Sequence, residues 1–150
     1  MSELAILVGL PGSGKTSFFE ARLAATHVHV SKDRMGQARD KGARQLEQVA
    51  HALGAGRSVA VDNTNPRAAD RAPLVALGRA AGARVVAYAM DTSAKQALAR
   101  NRSRQPPARV PDVAVFVASK RMEAPTRAEG FDAVYRVRAE GGGFEVVPAG

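Results

Sequence analysis

Cysteine and tryptophan are absent from this chain, and no apolar run approaches the length of a membrane span. Without cysteine there is no disulfide framework, no thiolate zinc site and no cysteine nucleophile. Aromatic residues are few, five Phe and two Tyr, so a partner held by stacking would find little to stack on. Acid is short as well: 14 Asp and Glu stand against 22 Lys and Arg, a formal net charge of +8. The first apolar run, Leu4 to Val8, is too short for a signal peptide and lacks a basic leader. The expectation from these absences is a soluble, cytoplasmic protein with no membrane attachment. Its 150 residues read as one domain, large enough to bury a core without staples.

The distribution of charge says more than its total. Arginine outnumbers lysine 17 to 5 and alanine is abundant, a bias that GC-rich coding also produces. From Lys95 to Pro111, however, Lys95, Arg100, Arg102, Arg104 and Arg109 follow one another with no acid between them. A solvated face usually mixes signs, so this stretch reads as an anion contact, against the plainer reading of a solvated basic helix end.

Residues Gly9 to Thr16 spell Gly-Leu-Pro-Gly-Ser-Gly-Lys-Thr, the pattern G-x-x-x-x-G-K-[ST] of a phosphate-binding loop. The context is the one the chemistry requires, with an apolar strand-like run before the loop and a helix-compatible stretch, Lys15 to Ala25, after it. Glycines let the chain curl so that successive backbone N–H groups face phosphate oxygens, and the start of the helix adds a positive dipole end. The bland reading, a glycine-rich turn that binds nothing, accounts for the glycines but not for Lys-Thr directly after them. The expected ligand is a nucleoside triphosphate such as ATP. Its nucleotide-binding set is Gly9, Pro11, Gly12, Ser13, Gly14, Lys15, Thr16 and Ser17, with the Thr16 hydroxyl on Mg²⁺.

Strand and helix signals alternate along the rest. Apolar runs at Leu4–Val8, Val28–Val30, Val59–Val61, Val85–Met90 and Val134–Val137 are separated by segments suited to helices at Lys15–Ala25, Ala38–Leu53, Pro66–Ala81, Ser93–Ser103 and Pro111–Met122. Pro66 suits the first turn of its helix, with Thr64 or Asn65 as the cap. The rhythm predicts an α/β fold: a five-stranded, mostly parallel sheet with helices on both faces. The tail from 140 to 150, rich in glycine, is expected to be mobile unless Phe144–Val147 forms a last short strand.

In such sheets ligands gather at the carboxyl ends of the strands. Two polar clusters join the loop there, Ser31-Lys32-Asp33-Arg34 after the His27–Val30 run and Asp62-Asn63-Thr64-Asn65 after Ser58–Val61. Asp62 is a candidate to organise Mg²⁺, and Asp33 a candidate to accept the proton of an acceptor hydroxyl. For either aspartate alone, a turn or cap would be the ordinary explanation; two on one edge beside a phosphate loop favour chemistry. Arg100, Arg102 and Arg104 precede Gln105-Pro106-Pro107, where a helix must break, and a second helix starts near Pro111. Two helices joined by this basic loop, about residues 100 to 115, form a candidate lid whose arginines would spread over a transferring phosphoryl group. His27 and His29 share a strand face with no third ligand in view and are assigned to structure.

Together these runs resemble the kinase domain of the 5′-polynucleotide kinase family. The likeness covers Leu4 to Val137 and rests on Val8 to Thr16, His29-Val30-Ser31-Lys32-Asp33, Val61-Asp62-Asn63-Thr64-Asn65-Pro66, Asn101-Arg102-Ser103-Arg104 and Glu123-Ala124-Pro125-Thr126 before Glu129-Gly130-Phe131. The phosphate loop is shared by many unrelated enzymes; the Asp-Asn-Thr-Asn-Pro run and the tail are more specific. The resemblance implies a P-loop kinase fold whose site opens to the triphosphate at one end and to a polynucleotide at the other. It makes Asp33 the general base, Lys15 the loop lysine and Arg104, with Arg100 or Arg102, the lid arginines. It also implies that the partner is a nucleic acid 5′-hydroxyl end. The chain departs from the family at Ser31-Lys32, commonly Asn-Arg, and near Gly36, where some members place an arginine that grips the acceptor phosphate. Arg34 and Arg39, with Asn63, are the acceptor-binding candidates here. No Asp-x-Asp phosphatase motif is present, so kinase activity alone is expected.

Two other readings compete: a kinase for a small hydroxyl-bearing metabolite, and an NTP-binding module without catalysis. A broad cationic approach favours the polynucleotide over the metabolite, and a proton acceptor at Asp33 is of no use to a mere switch.

Overall fold

The computed structural model describes residues 2–106 and 108–149. Pro107 of the expected lid and Gly150 of the tail lie outside the described residues. The elements run β1 (Glu3–Val8), α1 (Lys15–Arg22), β2 (His27–Val30), a 3₁₀ helix (Lys32–Met35), α2 (Lys41–Gly54), β3 (Ser58–Asp62) and α3 (Ala68–Ala80). They continue with β4 (Arg84–Met90), α4 (Ala94–Arg102), α5 (Asp112–Arg121), a second 3₁₀ turn (Arg127–Glu129), β5 (Ala133–Glu140) and β6 (Gly143–Pro148).

The sheet order is β2-β3-β1-β4-β5-β6, with β6 antiparallel to β5 and every other pairing parallel. Strand β1 is apolar on both sides because both sides are covered, as parallel sheets demand. Leu4, Ile6 and Val8 pack with Val49 and Leu53 of α2 and Leu74 and Val75 of α3. Ala5 and Leu7 turn the other way, toward Phe18 and Phe19 of α1. Loop, β2 end and β3 end therefore meet at the carboxyl edge of the central strands. Among the described residues no helix is long and apolar enough to cross a membrane.

Six strands form where five were expected, the sixth being the last short strand offered at Phe144–Val147, which runs Gly143–Pro148. Gly141 and Gly142 adopt φ of 54° and 81°, the double positive φ of a tight two-residue hairpin, so Glu140 faces Gly143 and the chain returns along β5. The returning strand is fastened to α1: Phe144 meets Phe18 edge-on at 5.4 Å, and Arg22 donates to the Phe144 carbonyl at 2.7 Å.

Two helix starts also move. Helix α2 begins at Lys41 and not at Ala38, because the Asp40 carboxylate caps it by accepting from Ala43 N at 3.1 Å. Helix α3 begins at Ala68, capped from Arg67 and Asp70, and neither Thr64 nor Asn65 is its cap. Asn65 instead holds φ 45°, is buried, and donates its amide to the Leu7 carbonyl at 2.7 Å. That bond ties the β3–α3 loop to the end of β1.

An ion pair between a buried arginine and a half-buried glutamate locks the same loop from behind. Arg71, fully buried, donates to both carboxylate oxygens of Glu129 at 2.8 and 3.0 Å and to the Asn65 carbonyl at 2.8 Å. Burial alone would raise the Glu129 carboxyl; the Arg71 bonds and charge, with a bond from Thr126 N, hold it below its usual range instead. Removing one partner of a buried pair strands the other charge. Glu129→Ala is therefore expected to cost about 3–5 kcal/mol in urea unfolding. Because the folded carboxyl is depressed below 4.5, its stabilisation is present above that pH and lost as pH falls through the folded value. Urea titrations repeated toward acid should show a shallower acid loss in Glu129→Gln than in the parent.

Candidate functional site

The loop after β1 is curled around its own lysine. Gly12 and Gly14 adopt φ of 82° and 95°, a left-handed conformation that a side chain would oppose. A Cβ at Gly12 would strike the Ala97 carbonyl of α4, and one at Gly14 would lie 2.7 Å from Nη1 of Arg100. Inside the curl, Lys15 Nζ donates to the carbonyls of Gly9 and Leu10, both at 2.9 Å. Ser13 is buried and its hydroxyl has no partner among the described residues. Pro11 sits in the turn, and Ser17 is exposed beside Thr16 at the start of α1.

Thr16 Oγ1 donates to Asp62 Oδ2 at 2.7 Å, so the expected pair of cation-organising residues is in contact. The Asp62 carboxyl lies below its usual range: burial would raise it, but bonds from His29 and Thr16 and the Lys15 charge outweigh that effect. Both donors converge on Oδ2, leaving Oδ1 without a partner among the described residues. Hydroxyl and carboxylate oxygens are the hard donors that Mg²⁺ prefers, supplemented by water and phosphate. Among the described residues no group of three or more His, Cys, Asp or Glu could hold a metal alone.

Asp33 stands exposed on the 3₁₀ helix after β2, its backbone N–H bonded to the Ser31 hydroxyl at 3.3 Å. It lies near enough to Lys15 for their charges to interact, as do Asp62 and Arg104. The structure thus brings Thr16 and Asp62 into contact and sets Asp33, Asp62 and Arg104 within charge reach of Lys15. The other arginines do different work. Arg102 turns to Asp112 at 3.0 Å and braces α4 to α5, and Arg100 lies over Gly14. Arg34 donates to His29, Arg39 is exposed, and Asn63 is engaged at both ends, accepting from Lys32 N and donating to Gln45.

Two residues escaped the sequence reading. His29, assigned to structure, bonds Asp62 directly at 2.8 Å, whereas His27 is structural, bound to Glu3 and Thr26. Strand alternation carries the missed signal, since His29 pairs with Ala60, two residues before Asp62 on the same face. Asn101, buried in α4, clamps the segment between α4 and α5 by bonding both N and O of Val110 at 2.9 and 2.7 Å. A cavity of about 390 Å³ opens beside the loop between Leu10, Met90, Thr92, Met122 and Pro125. None of the gathered charged residues lines it.

Burial pulls the Lys15 ammonium from 10.5 down to about 8, Asp62 and Asp33 opposing the shift and Arg104 adding to it. The unfolded chain binds the extra proton between about 8 and 10.5, so this group makes stability rise with pH across that window. The parent protein is expected to gain stability relative to Lys15→Met as pH climbs through it. An Nζ titration by NMR should find the midpoint near 8, and lower still in Asp62→Asn.

Known proteins place the chain. A mimivirus protein (Acanthamoeba polyphaga mimivirus) named as a bifunctional polynucleotide phosphatase/kinase is 30% identical over 142 residues, 90% of this chain but 33% of that protein. The chain thus spans a third of that relative's length. The crystal structure of Kti12 from Chaetomium thermophilum with ADP-AlF3 matches with TM-score 0.69 and 19% identity over 90% of this chain and 88% of that one. A gluconokinase from Sinorhizobium meliloti 1021 matches with TM-score 0.63 and 18% identity over 91% and 82%. These likenesses show the α/β fold of P-loop kinases, with six strands in this chain. A family model described as an AAA domain matches residues 4–125, from β1 to beyond α5, and the chain belongs to that AAA-domain family.

Proposed function

We propose that this chain is a polynucleotide 5′-hydroxyl kinase, moving the γ-phosphate of ATP or another NTP to a 5′-OH end of DNA or RNA. The observation that carries this reading is the loop lysine Lys15 held beside the Thr16–Asp62 pair, with the Asp33 and Arg104 charges near enough to act on it. The 30% identical mimivirus relative supports the polynucleotide acceptor.

In this reading the loop N–H groups and Lys15 take the β- and γ-phosphates, which replace the Gly9 and Leu10 carbonyls as partners of the ammonium. Asp33 accepts the acceptor hydroxyl's proton as that oxygen bonds to the γ-phosphorus and the bond to the β–γ bridging oxygen breaks. Arg104 spreads over the equatorial oxygens. Thr16 and Asp62 would hold Mg²⁺, which neutralises phosphate charge when bound. Arg34 and Arg39 take the acceptor backbone, and Asn63 holds the Asp33 segment in place through Lys32 N.

Asp33→Asn keeps the shape but cannot accept a proton, and is expected to lower turnover roughly 10²–10⁴-fold with ATP affinity nearly unchanged. Lys15→Ala should abolish transfer in a folded protein. The acceptor class is tested with labelled ATP, Mg²⁺, a nucleoside 3′-phosphate, 5′-hydroxyl oligonucleotides of rising length, and a panel of sugars. Acceptor affinity should rise with length and fall with salt, with a log–log slope of about −0.7 per phosphate contacted. Arg39→Ala should make that slope shallower by about one such step. Efficient phosphorylation of a free sugar, indifferent to salt, would refute the polynucleotide reading.

A further inference from the structure

His29 stands between the two ends of the site, and its partners fix its chemical form. Arg34 Nη1 lies 3.0 Å from His29 Nδ1. A guanidinium has only donors, so Nδ1 must accept and carries no proton. The neutral ring then bears its hydrogen on Nε2, which points at Asp62 Oδ2 at 2.8 Å. Phe19 of α1 stacks on the ring at 4.2 Å and 18°, holding its plane against rotation. One clamped ring therefore receives from an arginine and donates to a carboxylate.

We propose that His29 is a positioning residue that couples the cation side of the site to its acceptor side. The Nε2–H fixes Oδ2 of Asp62 and so leaves Oδ1 as the free oxygen. Thr16 shares that task but has another candidate use as a cation ligand, whereas the His29 N–H has no other partner. The opposite nitrogen holds Arg34 near Asp33, on the 3₁₀ helix that presents both residues. A displaced Asp62 would tilt the ring and release Arg34, and an unseated Arg34 would free the ring to turn from Asp62. This rests on the proposed roles of Asp62 and Arg34, and one part of its test needs neither.

Two near-isosteres divide the ring's functions. Glutamine places an N–H where Nε2 stands but offers Arg34 no acceptor at the Nδ1 position; asparagine places an acceptor near Nδ1 but cannot reach Asp62. His29→Gln should raise the acceptor KM about tenfold, the loss of one hydrogen bond to a charged group, with Mg²⁺ dependence near that of the parent. His29→Asn should do the reverse, raising the Mg²⁺ needed for half-maximal rate about tenfold with acceptor KM little changed. A merely structural histidine would move both parameters together, or only the melting temperature, and that result would overturn the proposal. In the ligand-free protein, ¹⁵N NMR of labelled histidine should show His29 protonated at Nε2 and bare at Nδ1. Arg34→Met should shift the Nδ1 signal and Asp62→Asn the Nε2 signal. A protonated Nδ1, or signals blind to both changes, would overturn the coupling even if the kinase assay succeeded. If the parent phosphorylates no 5′-hydroxyl end, the polynucleotide reading fails while the NMR result still decides the coupling.

Discussion

The Lys15 ammonium, held out of water by the carbonyls of Gly9 and Leu10, constrains most of what surrounds it. A buried cation is tolerable only where oxygens replace its hydration. To aim two carbonyls inward the loop must curl, and the curl puts Gly12 and Gly14 in left-handed conformations. The same curl exposes bare backbone at Gly12, against which the Ala97 carbonyl of α4 packs with no room for a Cβ. Helix α4 then carries Asn101, which clamps Val110, and Arg102, which reaches Asp112. The start of α4 is thus seated on the loop by a backbone contact, and the Asn101 and Arg102 side chains tie the following segment and α5 to it.

The carboxyl edge of the sheet is stiffened from both faces. On the α1 side, Thr16, Asp62, His29 and Phe19 form one connected cluster. On the α3 side, Arg71 and Glu129 hold the Asn65 carbonyl, and the Asn65 amide holds Leu7. Gly9 N adds a bond to Thr64 O at 3.1 Å. The β3–α3 loop is accordingly fastened to the first residues of the phosphate loop. Asp62 is thereby held in a fixed position, since the strand end that bears it is pinned on either side.

Much of this was legible in the sequence because it depends on local pattern. The loop motif, the alternation of strands and helices, and the seats of Thr16 at a helix start and Asp62 at a strand end follow from residue type and order. What was illegible depends on neighbours that order alone does not give. That His29 touches Asp62 requires β2 to lie beside β3, a pairing decided by the whole sheet. The extra strand turned on whether Gly141-Gly142 would tighten into a hairpin or stay loose, and the packing of Phe144 on Phe18 decides for the hairpin. The cap of α3 was misplaced because Asn65, a good cap by type, is drawn into the core by the Leu7 carbonyl. Arg71 was overlooked since a basic residue in a predicted helix reads as solvated until Glu129 arrives from far along the chain.

Arg100, Arg102 and Arg104 show how similar residues acquire different surroundings. Arg100 and Arg104 would share a face on a continuous helix, but α4 ends at Arg102. Arg104 is placed by the following turn, its N–H bonded to the Asn101 carbonyl at 3.1 Å. Arg102 has its charge answered by Asp112. Arg104 instead adds to the lowering of the Lys15 ammonium, so the two cations are near enough to repel one another. Burial is the larger cause of the fall to about 8, and Asp62 and Asp33 oppose both effects. An anion placed between the two cations would relieve both at once. The loop therefore folds around a cation that burial and a like charge both disfavour, and an anion at the loop would oppose both effects.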